Sequence, residues 1–173
     1  MKKIDVSSFN TKNVEMMNWL FSSCYSLTSI DITNFNTSKV YRAGNLFSHC
    51  QSLTSIDVSH MDTSKMSSMG GMFAGCINLE SINVSTFDTK NANDMSSMFY
   101  KCTKLEYIDL GNFDTRKVEA MFMMFDGCTN LKGVNISSFD TNKVMYFHLM
   151  FNDCINLEFL NITHFVLDRK SVV

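Results

Sequence analysis

Cysteine recurs at Cys24, Cys50, Cys76, Cys102, Cys128 and Cys154, and every step is 26 residues. Phenylalanine keeps the same step three residues earlier, at Phe21, Phe47, Phe73, Phe99, Phe125 and Phe151. Leucine keeps it three residues later, at Leu27, Leu53, Leu79, Leu105, Leu131 and Leu157. No insertion or deletion interrupts the period. A strict repeat of this length cannot bury its apolar side alone, so neighbouring units must stack into a solenoid with one continuous core.

The second unit shows the pattern inside each repeat. Leu27-x-x-Ile30-x-Ile32 alternates with Ser29, Asp31 and Thr33, the period-two signature of a short strand with one buried face. Val40, Ala43, Leu46, Phe47 and Cys50 then form an apolar stripe that predicts an amphipathic helix of about three turns. Asn36-Thr37, replaced by Asp-Thr at Asp62, Asp88, Asp114 and Asp140, supplies residues suited to cap that helix. The expected fold is therefore α/β, a leucine-rich-repeat-type solenoid with parallel strands on a concave face and helices on the convex face. Strands about 4.8 Å apart and helices about 8–10 Å apart would curve such a stack. The ladder predicts seven strands and six helices over residues 1–165, with 166–173 a tail or partial cap.

The spacing Leu27-x-x-Ile30-x-Ile32-x-x-Phe35 has the leucine-rich-repeat form, with phenylalanine where asparagine or cysteine is usual. The fuller phrase, from Phe87-Asp88-Thr89 through Met98-Phe99-x-x-Cys102-x-x-Leu105, resembles the BspA-like surface-protein repeats of bacteria, mycoplasmas and some protists. The resemblance covers about residues 1–165. It implies a cell-surface protein that adheres to host proteins or other cells. It says nothing about which ligand is bound.

The repeat also explains features that could suggest chemistry. Six cysteines at one repeat position read as reduced thiols in the core, because helices stacked about 8–10 Å apart exceed the roughly 7 Å reach of a disulfide. Methionine rungs such as Met69, Met95 and Met121 read as core filler. His49 and His148 fall at unrelated positions, and His60 and His164 lie four repeats apart. No phosphate-binding loop or nucleophile motif is present, so neither an enzyme nor a cofactor or metal is expected.

Function is expected on the outward strand positions. The middle row reads Asp5, Asp31, Asp57, Asn83, Asp109, Asn135 and Asn161. It is either a mildly acidic strip for a basic partner or cation, or a solvated face whose side chains bond nearby backbone. One row earlier, Tyr107 and Phe159 should face outward on either side of Gly133, as interface anchors do. The lysines Lys39, Lys65, Lys117 and Lys143 run beside the acidic Asp62–Asp140 row and read as a solvated edge.

With 15 basic and 17 acidic side chains and a net charge of −2, the chain lacks the basic excess of a nucleic-acid binder. No apolar run is long enough for a membrane span. The expected partners are proteins, of the host extracellular matrix or of another cell's surface, with end-to-end self-association as a further expectation. Met1-Lys2-Lys3 is not followed by the apolar stretch of a signal peptide. The expected location is the cell surface or the secreted space as part of a longer protein, with a cytoplasmic scaffold as the alternative. A structural spacer is the competing role.

Overall fold

The computed structural model of the chain describes residues 2–162 and residue 165. Each repeat makes one coil of a solenoid, and consecutive coils pair in parallel along two sides. On the first side, β1 (Tyr107–Asp109), β2 (Gly133–Asn135) and β3 (Phe159–Asn161) form a parallel sheet in the order β1-β2-β3. Tyr107 pairs with Gly133 and Gly133 with Phe159, a register of one full repeat per strand. Among the described residues these three of the seven expected strands form a continuous ladder. A single bridge between Lys3 and Ser29 marks the same row at the other end.

The second side corrects the expected architecture. Among the described residues there is no helix, and none is long and apolar enough to cross a membrane. The segments read as helical are runs of tight turns that pair directly with their neighbours. Parallel bridges link Met16, Arg42, Ser68, Asp94, Ala120 and Tyr146 in succession. Met17 N–H donates to the Arg42 carbonyl (2.8 Å), Trp19 to Gly44 (3.1 Å), Phe21 to Leu46 (2.9 Å) and Ser23 to Ser48 (2.7 Å). The intervening amides turn back within their own coil, with Leu20 N–H donating to the Met17 carbonyl, Ser22 to Trp19 and Cys24 to Phe21. This division gives most buried backbone donors of the turn side a partner, as burial requires.

Two backbone slots per repeat take a left-handed conformation to make these turns. Trp19 (φ 59°), Asn45, Gly71 (φ 64°), Ser97, Met123 and Leu149 occupy one slot. Ser23, His49, Gly75 (φ 72°), Lys101, Gly127 and Asp153 occupy the other. An α-helix cannot contain such residues. The apolar spacing that resembled a helix arises because a bond to the third residue back closes turn after turn, bringing every third or fourth side chain to the core. Both sides now step by the same backbone pairing, so the mismatch expected to curve the stack loses its cause.

Three ladders hold the coils together. The rings of Phe21, Phe47, Phe73, Phe99, Phe125 and Phe151 stack nearly parallel, with centroids 5.3–5.9 Å apart, a separation at which aromatic pairs attract beyond their burial. Buried Thr11, Thr63, Thr89 and Thr115 each bond both backbone groups of one residue in the next coil. Thr89 Oγ1 accepts from Asp114 N–H (2.7 Å) and donates to the Asp114 carbonyl (3.1 Å), and Thr115 does the same for Asp140. Each cysteine thiol from Cys50 onward donates to a phenylalanine carbonyl of the preceding coil, as Cys102 Sγ does to Phe73 (3.2 Å).

The six cysteines are free thiols, four of them buried. The helical spacing invoked to keep them apart is absent. What fixes them is the carbonyl bond and the surrounding core. Burial pushes the thiols of Cys50, Cys76 and Cys128 up to about 12. The methionine rungs are core, with Met69, Met95 and Met121 fully buried. Residues 166–173, the expected tail, and His164 lie outside the described residues.

Candidate functional site

The sheet side presents the outward rows that the sequence singled out. Tyr107 and Phe159 are 63% and 59% exposed, while Gly133 between them is buried. The glycine has a clear steric reason. A β-carbon there would stand 3.0 Å from Tyr107 Cδ1 and 3.8 Å from Phe159 Cβ. The Tyr107 ring therefore leans across Gly133 and fills the gap that the sequence suggested would stay open. Lys132 Nζ lies 6.0 Å from the ring centroid and 2.8 Å from Glu106 Oε2. The Glu106 bond raises the Lys132 pKa, so the ammonium stays charged beside the ring.

The Asx row lies alongside, and its side chains are engaged locally. Asp5 Oδ1 accepts from Ser7 N–H, Asp31 from Thr33, Asp57 from Ser59 and Asp109 from Gly111, all at 2.9–3.0 Å. Asn83 and Asn135 make the same turn with Ser85 and Ser137. The Ser7 side chain and N–H hold the Asp5 carboxyl below its usual range. The Thr33 N–H and hydroxyl do so for Asp31, and the Ser59 side chain and N–H for Asp57. Each carboxylate thus caps its own turn, which is the solvated reading of the row. Among the described residues no three His, Cys, Asp or Glu side chains converge as a metal would need.

The row does not lie flat. Asn83, Ser85, Asp109, Gly111, Asn135 and Ser137 line a groove of about 610 Å³, within the size range of ligand sites. Inside it Asn135 Nδ2 donates to Asp109 Oδ1 (2.8 Å). A smaller hollow of about 250 Å³ includes Asp5 and Asp31. The structure therefore brings Asp109, Tyr107 and Phe159 to one end of the sheet side. Asp57, Asp31 and Asp5 lie two, three and four coils from Asp109 along the same row.

Part of the basic row is paired locally. Lys39 and Lys117 reach Asn13 and Asn91 of the preceding coil, Lys90 bonds Asp88 (2.7 Å) and Arg116 bonds Asp114 (2.6 Å). Sequence reasoning missed a second hollow, on the turn side, of about 460 Å³ around Asn18, Trp19, Arg42, Gly70 and Asp94. Glycine and asparagine at Asn45, Gly71 and Gly75 were the available signal, since these residues favour left-handed turns over helices.

No curated protein matches the chain. Among solved structures, a leucine-rich repeat protein of T. pallidum is similar in fold at 18% identity and a TM-score of 0.51, over 83% of this chain and 72% of that one. A leucine-rich cell surface protein of Faecalibacterium prausnitzii A2-165 aligns at 18% identity over 91% of this chain and 58% of that one, with a TM-score of 0.31, too low to establish a shared fold. A family model described as "Mycoplasma protein of unknown function, DUF285" matches residues 1–108 and 74–169. With the leucine-rich-repeat likeness and the parallel, unbroken repeat behind it, the chain belongs to the DUF285 family.

Proposed function

We propose that this chain is a non-catalytic interaction module, displayed at the cell surface, that binds protein partners through its sheet side. The observation that carries the reading is the pair Tyr107 and Phe159, held outward two coils apart on either side of Gly133 and bordered by the Asp109–Asn135 groove. Exposed aromatics on a rigid sheet lose little freedom on binding and bury a large area, as interface anchors do. The charged rim of Glu106, Lys132 and Glu158 suits a polar partner surface around them. The repeat's likeness to BspA-like surface proteins supports adhesion and a surface location.

The test is adhesion of the purified chain to immobilised extracellular-matrix glycoproteins and to intact host cells. Tyr107→Ala with Phe159→Ala should lower binding at least about tenfold, a loss of roughly 1.4 kcal/mol or more. Thermal stability should stay near that of the parent, because both rings are solvent-facing. Full adhesion by the double variant would remove the aromatic pair as the anchor. No adhesion by the parent to any of these surfaces would remove the adhesive role.

A further inference from the structure

The turn side carries a feature that the sheet-side reading leaves unused. In the second to fourth coils its outward positions are small or polar: Gly44, Asn45, Ser68, Gly70, Gly71 and Ser97. The coils on either side carry bulk at several of the same positions, though Ala120 and Asn18 are exceptions. Trp19 stands at the near end, 63% exposed. Beyond the far end, Phe122 stacks on His148 (5.3 Å), and Tyr146 and Leu149 are exposed. The result is a trough of about 460 Å³ with Trp19 lining its near end.

The backbone does not force this depletion. Trp19, Met123 and Leu149 take the left-handed slot at φ 55–59°, the slot that holds Asn45, Gly71 and Ser97 in the trough. Tyr146 occupies the position of Ser68, one of the bridge-forming row. Large side chains are therefore accommodated at both positions; in the middle coils Arg42 is present in the bridge-forming row, while Asn45, Ser68, Gly71 and Ser97 leave the space beside it open.

The polar groups in the trough are specific. The Asp94 carboxylate lies on the floor against Gly70, where an added β-carbon would stand 2.7 Å from Oδ2. Ser96 N–H and hydroxyl pin its Oδ1 (3.0 and 2.6 Å), and the Ser68 hydroxyl reaches its Oδ2 (3.2 Å). Asn18 is fixed by Gly44 N–H (2.8 Å), so its amide group is held at the rim. Arg42, two coils or about 10 Å from Asp94, lines the same trough as Trp19. Its guanidinium sits 5.8 Å from the Tyr41 ring and, among the described residues, makes no ion pair. An indole, a guanidinium without an ion pair, a fixed carboxylate and side-chain amides around one polar trough form a complementary set. The indole takes the apolar face of a pyranose, the guanidinium fork takes a carboxylate, and Asp94 and the amides take hydroxyls.

We infer that the turn-side trough is a second binding site, for a short oligosaccharide carrying an acidic sugar. It is independent of the sheet-side surface. Trp19 is the sole tryptophan of the chain, so its fluorescence reports occupancy directly. The chain is titrated with 3′-sialyllactose, and with lactose as the neutral counterpart, by Trp19 fluorescence and by calorimetry. Saturable binding of sialyllactose is expected, at least about tenfold tighter than lactose. Arg42→Gln should abolish that preference. Ser68→Tyr with Ser97→Met fills the trough with side chains that the fifth and sixth coils already carry, so the variant should fold and lose binding. Tyr107→Ala with Phe159→Ala should bind the sugar unchanged, which separates this site from the adhesive one. Absence of saturable binding at millimolar sialyllactose, equal affinity for lactose, or full binding by the filled variant would each overturn the inference.

Discussion

Replacing Thr89 by valine tests the threonine ladder with almost no change of shape. Thr89 is 1% exposed, and its hydroxyl bonds both the N–H and the carbonyl of Asp114. Valine keeps the volume, so no cavity opens, but both backbone groups of Asp114 lose their partner. An unsatisfied group costs about 1–3 kcal/mol. Asp114 is only partly buried, so water recovers part of that cost. The expected loss is about 2–4 kcal/mol for the pair, lowering the melting temperature by roughly 4–16 °C. Thr89→Ser keeps the oxygen and gives up one methyl, for about 1 kcal/mol. Urea unfolding of the three proteins should therefore rank parent, serine, valine, with similar slopes. A valine variant within about 0.5 kcal/mol of the parent, or more stable than the serine variant, would refute the ladder as a source of stability.

Three further outcomes follow from the same geometry. In the native chain a thiol reagent should modify Cys24 and Cys154 before the others, because only these two are partly exposed; rapid native labelling of Cys76 or Cys102 would contradict the buried ladder. Asp114 is held down to about 2, chiefly by the Arg116 guanidinium. Its folded pKa lies below the unfolded value of about 3.9, so its stabilisation is complete above that value and lost as pH falls toward 2. Melting temperatures should drop over that window, and Arg116→Ala should shift the Asp114 titration upward by NMR; an unmoved Asp114 would remove the pairing. Gly133→Val should displace the Tyr107 ring, weakening sheet-side adhesion more than it lowers stability; unchanged adhesion would show that the ring's position does not matter.

Much of this was legible in the sequence. The 26-residue ladders of Phe, Cys and Leu announce a stacked repeat, and Phe99, Cys102 and Leu105 are buried rungs of the core. The outward exposure of Tyr107 and Phe159 follows from strand alternation alone. The turn side was misread because its apolar spacing has two physical sources. Val40, Ala43, Leu46, Phe47 and Cys50 fit a helical stripe, yet they also fit successive turns closed by bonds to the third residue back, as Leu46 to Ala43 and Cys50 to Phe47. Periodicity counts apolar positions and does not see which amides leave the coil. Gly71, Gly75 and Gly127 argue against a helix, but Trp19, Met123 and Leu149 hide the same left-handed slot under residues that rarely adopt it. The trough was invisible for the same reason, since it exists only when the coils lie in direct backbone register.

The direct pairing of the turn segments positions every row described above, and backbone NMR tests it directly. Coils paired in parallel lie about 4.8 Å apart, so backbone contacts should appear between Phe73 and Met98–Phe99, where Phe73 N–H donates to the Met98 carbonyl (3.0 Å). Packed helices would hold the same backbones about 8–10 Å apart. Inter-coil backbone contacts along Met17–Ser23 and its counterparts are the predicted result; their absence, with helical carbon shifts over those segments, would contradict it.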